Sequence, residues 1–289
     1  MVVYAKFNGA YYSVFFLDER LLKWAASQQA ITYSADTVIE EFVVGSTVTI
    51  NEGVKITPRR GVIKIFAEKV YVNGTIDVSK VIGGGAGASE SISNGGSSSG
   101  NIAGGGGGDG NGAGTGGRSY ADFYVAGVSK GGKPAADLKR IMIECGRGAG
   151  GGGGGANSAG MRGGDGGPGG GGVYIRAKEI HIDGSILAYG GNGDRGDTEG
   201  CGGGGGGAGG VVVIIADVIY GAGEILAYGG NEGNAGGSDA GGGGGGAGGI
   251  VMFVTNDNEF TGTVNVAGGT GGAGDVAGED GEDGLFIVM

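Results

Sequence analysis

The nine residues Gly202 to Gly210, six glycines followed by Ala-Gly-Gly, recur unchanged at Gly241 to Gly249, a step of 39 residues. The segment Ile186-Leu-Ala-Tyr-Gly-Gly-Asn192 recurs with the same step at Ile225 to Asn231, and loosely at Val264 to Thr270. Two separate blocks that repeat in step define a repeat architecture, in which each unit buries its apolar face against its neighbours. An earlier copy is legible as well: IFAEKVYVNGTIDV, Ile65 to Val78, matches IRAKEIHIDGSILA, Ile175 to Ala188, with Asn73-Gly74 aligned to Asp183-Gly184. The chain therefore reads as about four related units with a longer insertion between the first and second. Each unit runs strand, tight turn, strand, Gly-Gly-Asn corner, variable polar loop and polyglycine.

Glycine supplies 80 of the 289 residues and proline only 3, with no glycine at every third position, which excludes collagen. Disorder is opposed by a hydrophobic fraction of 39%, gathered into β-branched blocks such as Val211 to Ile215. The polyglycine runs have two readings. They are flexible linkers, or they are extended helices of the polyproline-II type packed side by side. Such a helix rises about 3.1 Å per residue, so six glycines span about 19 Å, similar to a short strand. With no side chains in the way, neighbouring glycine helices can approach and bond N–H to C=O between segments. The purity of the runs and their fixed period favour packing.

The fold expectation is all-β: a glycine-rich repeat solenoid, parallel β-helix-like, with packed polyglycine II segments and a short N-terminal helix. Three zones are expected. Residues 1–30 form an N-terminal attachment segment, in which Asp18 caps a short helix placing Leu21, Leu22, Trp24 and Ala25 on one face. The aromatic residues Tyr4, Phe7, Tyr11, Tyr12, Phe15, Phe16 and Trp24 form either a small local core or an apolar docking surface. Residues 31–82 are rich in short strands, and residues 83–289 form the glycine-rich domain of 39-residue period.

Net charge is −11, and residues 181–289 hold Arg195 alone against fifteen acidic side chains. That half repels phosphate backbones, so no nucleic-acid partner is expected there. The N-terminus carries no classical signal peptide, and its apolar stretch is too short to span a bilayer. Two distant cysteines, Cys145 and Cys201, allow at most one disulfide.

Catalytic chemistry finds little footing. His181, the lone histidine, sits in the alternating segment Glu179 to Asp183 and is expected to face outward, like the aligned Tyr71. No zinc constellation, no G-x-S-x-G elbow and no G-x-x-x-x-G-K-[ST] loop is present. Matches to G-x-G-x-x-G are many and carry nothing in so glycine-rich a chain. The acidic clusters Asp194, Asp197, Glu199 and Asp275, Glu279, Asp280, Glu282, Asp283 lie in glycine-rich segments without flanking aromatics, which disfavours a glycosidase pair. Close oxygen donors suit calcium, but Asp194 and Asp275 fall one position early for the G-G-x-G-x-D repeat, and a solvated acidic loop is the simpler reading. No metal and no cofactor is expected.

Long glycine runs (Gly104–Gly108, Gly150–Gly155, Gly202–Gly207, Gly241–Gly246) separated by short polar segments resemble the receptor-binding adhesins of T-even-like phage tail fibres. In some of these, polyglycine II helices form a sandwich whose loops bind bacterial surface receptors. The resemblance covers residues 83–289, while the inserted Val/Ile strands resemble glycine-rich parallel β-helix proteins. It implies a virion location and a non-enzymatic tail-fibre tip or tail component, attached to other virion proteins through residues 1–30. It implies, too, a host cell-surface receptor bound through Asn192, Asp194, Arg195, Asp197, Glu199, Asn231, Glu232, Asn234, Asp239 and Asp275. Self-association is a further expected contact. The alternatives are a cell-surface or filament-forming β-solenoid protein and a carbohydrate-active β-helix enzyme.

Overall fold

The computed structural model describes residues 3–7, 10–14, 19–84, 161–198, 200–237 and 240–289, with side chains from Leu22 onward. Among the described residues nearly all of the regular structure is β, and every strand ladder beyond the N-terminal hairpin is parallel, with one isolated antiparallel bridge between Ile82 and Gly169. That hairpin pairs β1 (Val3–Phe7) with β2 (Ala10–Val14) in antiparallel fashion, and α1 (Glu19–Ala26) follows. Helix α1 buries Leu22 and Ala25 and leaves Trp24 51% exposed. Asp18, Phe15 and Phe16 lie outside the described residues, as do the aromatic side chains of Tyr4, Phe7, Tyr11 and Tyr12.

From Ile31 onward the chain coils, and each full turn contributes up to three strands. The first face stacks β5 (Phe42–Val44), β8 (Val62–Phe66), β11 (Gly172–Arg176), the first half of β14 (Val211–Gly221), the first half of β16 (Ile250–Phe260) and β18 (Leu285–Val288). The second stacks β3 (Ile31–Tyr33), β6 (Thr47–Ile50), β9 (Lys69–Val72), β12 (Glu179–Ile182) and the second halves of β14 and β16. The third stacks β4 (Thr37–Ile39), β7 (Lys55–Pro58), β10 (Thr75–Asp77), β13 (Ser185–Leu187), β15 (Glu224–Leu226) and β17 (Thr263–Asn265). The 39-residue step is therefore one coil: Ser185 pairs with Glu224, and Glu224 with Thr263.

Register decides which side chains meet. Like residues stack inside the coil in columns such as Ile63, Val173, Val212 and Val251, and Ile76, Ile186 and Ile225, all with no solvent exposure. Each such side chain contributes about 1.5–3 kcal/mol. Strand β8 alternates half-buried and buried, whereas Val211 to Ile215 are buried on both sides, which explains that unbroken apolar run. The strands of residues 62–77 pair directly with those of residues 172–187, so the sheet runs on across residue 82.

The dipeptides Asn73-Gly74 and Asp183-Gly184 mark corners between the second and third faces, not hairpins, and neither glycine has positive φ. Glycine is required there for space: a Cβ on Gly184 would sit 1.9 Å from the Gly74 carbonyl oxygen. In the next coil the corner carries Gly221 at φ +115°, a true left-handed position.

In the early coils the third face passes to the first within a few residues, as from Pro58 to Val62, but from β13 onward each coil leaves the third face along an extended outgoing segment and comes back along a returning one. The segments are hydrogen-bonded at every third residue. Gly203, Gly206 and Gly209 donate to Gly241, Gly244 and Ala247 of the next returning segment, at 3.1, 2.9 and 2.9 Å. Gly204, Gly207 and Gly210 donate to Asp194, Gly191 and Ala188 of their own outgoing segment. Outgoing segments stack likewise, through Gly190 to Tyr228, Gly193 to Asn231 and Gly196 to Asn234. Successive N–H groups thus aim at different neighbours, and the block is two layers deep. A Cβ on Gly206 would lie 2.0 Å from the Gly230 carbonyl oxygen, so a side chain at that position has no room.

Candidate functional site

The threefold spacing leaves one register of each outgoing segment free to face out. In one coil it carries Tyr189, Asn192 and Arg195, in the next Tyr228, Asn231 and Asn234, and in the last Ala267, Thr270 and Ala273. The residues between them are taken up by the layer bonds. These nine positions form a surface of three columns, one coil apart in one direction and three residues apart in the other.

The columns are internally tied. Tyr189 and Tyr228 stack with ring centroids 4.8 Å apart and planes 4° from parallel, and Lys80 Nζ lies 5.3 Å from the Tyr189 ring centre. Burial and the neighbouring Tyr189 push the Tyr228 hydroxyl above its ordinary pKa. Asn192 Oδ1 accepts the Asn231 N–H, Asn231 Oδ1 accepts the Thr270 N–H, and Asn234 Oδ1 accepts the Ala273 N–H, at 3.0, 3.0 and 2.9 Å. Arg195 reaches up one coil, donating to the Ala235 and Gly236 carbonyls at 3.3 and 2.9 Å.

The sequence-predicted contact residues separate accordingly. Asn192, Arg195, Asn231 and Asn234 share this face, on straight, hydrogen-bonded backbone. The Gly-Gly-Asn stretch is not a corner, because the ladder continues through Asn192 and Asn231 to the ends of the segments; the chain turns only near Gly200, at φ +79°. Asp194 and Asp197 lie toward that turn. Asp197 accepts the Arg162 N–H at 3.2 Å, and Arg162 pairs with Asp165 at 2.8 Å. Glu232 is half-buried and accepts from Thr270 Oγ1 at 3.3 Å; burial raises its carboxyl above the usual range. Asp275 is exposed where the last outgoing segment turns back, its N–H bonded to Ala240. Glu199, Asp239 and Cys145 lie outside the described residues, while Cys201 is buried beside Thr198.

A second ladder lies on the outer side of the second face, where His181 stands between Tyr71 (6.1 Å, edge-on) and Tyr220 (4.6 Å, stacked). Beside it Glu179 accepts from Lys69 at 2.7 Å and from the Tyr220 hydroxyl at 2.6 Å. The Lys69 and Tyr220 bonds hold the Glu179 carboxyl below its ordinary pKa, and the same contact pushes the Tyr220 hydroxyl up. Sequence reasoning placed His181 but missed both tyrosine ladders, although the repeated Ile-Leu-Ala-Tyr-Gly-Gly-Asn contains one of them.

Among the described residues no three His, Cys, Asp or Glu side chains gather closely enough to hold a metal ion, and no helix is long and apolar enough to cross a membrane. Comparison with family models, with curated proteins and with solved structures finds no match.

Proposed function

We infer that the chain is a non-enzymatic recognition protein of a virion, a tail-fibre tip or tail component that displays side chains to a host surface receptor. The observation that carries this reading is the two-layer glycine block. Its hydrogen bonds at every third residue support a reading as packed polyglycine II helices, the element by which this chain resembles tail-fibre adhesins. Such a block is rigid because each segment is bonded to neighbours on several sides, and it holds outward residues at set places. The frame is the same from coil to coil, while the outward residues differ: Arg195, Asn234 and Ala273 occupy one column. A repeated frame carrying unlike side chains suits recognition.

The test is binding of fluorescently labelled full-length chain to a panel of bacterial strains, read by flow cytometry. Saturable binding to a subset of strains, displaced by excess unlabelled chain, is expected. Binding to no strain, or equal non-saturable binding to all, sinks the reading.

A further inference from the structure

We propose that the open ring face of Tyr228, at the end of the Tyr189–Tyr228 stack, is a docking site for a neutral saccharide chain. The proposal rests on the recognition reading above and assigns a ligand class to a part of the surface outside the residues first singled out for contact.

Aromatic faces in this ladder are covered coil by coil. Tyr189 has Lys80 on one side and Tyr228 on the other. Tyr228 has Tyr189 below it, but the coil above supplies Ala267, as the bond from Gly229 N–H to the Ala267 carbonyl shows. Ala267 is exposed and brings only a methyl group, so among the described residues the upper ring face has no aromatic or cationic cover.

Polar groups along the surface that leads on from this face, about 9 Å per step, are held by the backbone. A backbone N–H can only donate, so the one from Thr270 fixes the Asn231 amide with its oxygen on that bond and its NH2 free to donate, one step from Tyr228. Asn234, two steps away, is held the same way by Ala273. Thr270 Oγ1 spends its proton on Glu232, which leaves the hydroxyl oxygen as an acceptor. An apolar ring face followed along the surface by fixed donors and an acceptor suits a saccharide chain, whose pyranoses have a C–H face and a rim of hydroxyls. The acidic balance of residues 181–289 repels polyanions, which selects neutral over anionic chains.

The experiment is native affinity electrophoresis of the full chain through gels containing dextran, laminarin, galactomannan or, as the anionic comparison, alginate. At least one neutral polysaccharide is expected to retard the protein, and alginate is not. Ala267→Lys covers the Tyr228 face as Lys80 covers that of Tyr189 and offers no new ring face, so it should weaken retardation at least tenfold while leaving the melting temperature nearly unchanged. Tyr228→Phe keeps the ring and should keep binding, whereas Tyr228→Ala should lose it with an unchanged circular dichroism spectrum. Retardation of both Ala267→Lys and Tyr228→Ala equal to wild type, or no retardation by any neutral polysaccharide, overturns the proposal. If bacterial cells still bind the chain while Tyr228→Ala binds them equally well, only this site fails. Absence of cell binding fails the recognition reading itself.

Discussion

The carboxylate of Asp283 accepts the backbone N–H of Gly268 at 2.9 Å, taking the place that a further coil would fill. One coil earlier the equivalent N–H, that of Gly229, donates to the Ala267 carbonyl. Asp280 treats Gly271 in the same way, at 2.6 Å. In the last returning segment, Gly278, Gly281 and Gly284 still donate to Gly272, Gly269 and Val266, so glycine is kept where the layer beneath leaves no space. The aspartates stand where the layer ends. Carboxylates at this edge both satisfy donors and discourage another chain from adding on.

Replacing both aspartates by glycine should therefore open the edge. Asp280→Gly/Asp283→Gly is expected to lose about 1 kcal/mol per hydrogen bond. It should also sediment as larger, concentration-dependent oligomers than the parent chain under the same conditions. A monodisperse variant of unchanged melting temperature would show that the carboxylates have no such role.

Gly206→Ala tests whether the glycine layers are packed. The added methyl meets the Gly230 carbonyl oxygen at 2.0 Å and the Gly246 nitrogen at 2.8 Å, so segments on two sides must part. A loss of about 3 kcal/mol is expected. Gly83→Ala, where a Cβ meets nothing within 4 Å, should change little. Equal melting temperatures for the two variants would contradict the packing.

The pairing of Glu179 with Lys69 and Tyr220 sets a pH dependence at each end of the scale. A carboxyl held below its ordinary pKa contributes stability at pH values above the unfolded value, near 4.5, and that contribution disappears as pH falls through the folded one. Tyr220, held above 10, contributes stability that is lost as pH rises past 10. Glu179→Gln should flatten both limbs of a melting-temperature profile, through a loss of no more than about 1 kcal/mol of stability because the pair is partly exposed.

Glu232 has the opposite sign. Its folded carboxyl is raised by burial, so its charge costs stability at neutral pH, a cost removed as pH falls through the folded value. Glu232→Gln should stabilise the fold at pH 7 by under about 1 kcal/mol, read as a higher melting temperature, and have no effect at pH 3. A lower melting temperature at pH 7 would mean that the charge is needed for the Thr270 contact.

Parts of this architecture were legible in the residues and parts were not. The step of 39 residues could be read because backbone packing tolerates almost no substitution at Gly203, Gly206 and Gly209, which preserves the run. The end of the block was written too, as Gly278-Glu-Asp-Gly-Glu-Asp-Gly284, a period of three that separates the inward register from the others. It was missed because the acidic residues read as a solvated loop. Gly-Gly-Asn reads as a corner in the repeated unit, with Asn192 and Asn231 opening the loops after it; in the structure the segment runs straight and these side chains bond the next coil. A test of receptor contact by alanine at Asn192 or Asp197 would consequently disturb backbone partners, while Asp194, exposed near the turn, is the cleaner position. The N-terminal hairpin carried its own signal, Asn8-Gly9 between two aromatic-rich stretches, which the search for helix caps passed over.

The bonds that hold the outgoing segments together run mostly between main-chain atoms, so the outward register is largely uncoupled from folding. Its positions form a lattice with pitches of about 9 Å along a segment and about 4.8 Å between coils. A change at Ala273, whose side chain makes no hydrogen bond, alters one lattice point and leaves its neighbours in place, whereas Arg195 also ties its coil to the next. On the recognition role proposed above, new specificities are then reachable by single substitutions, and a duplicated coil adds a whole new row.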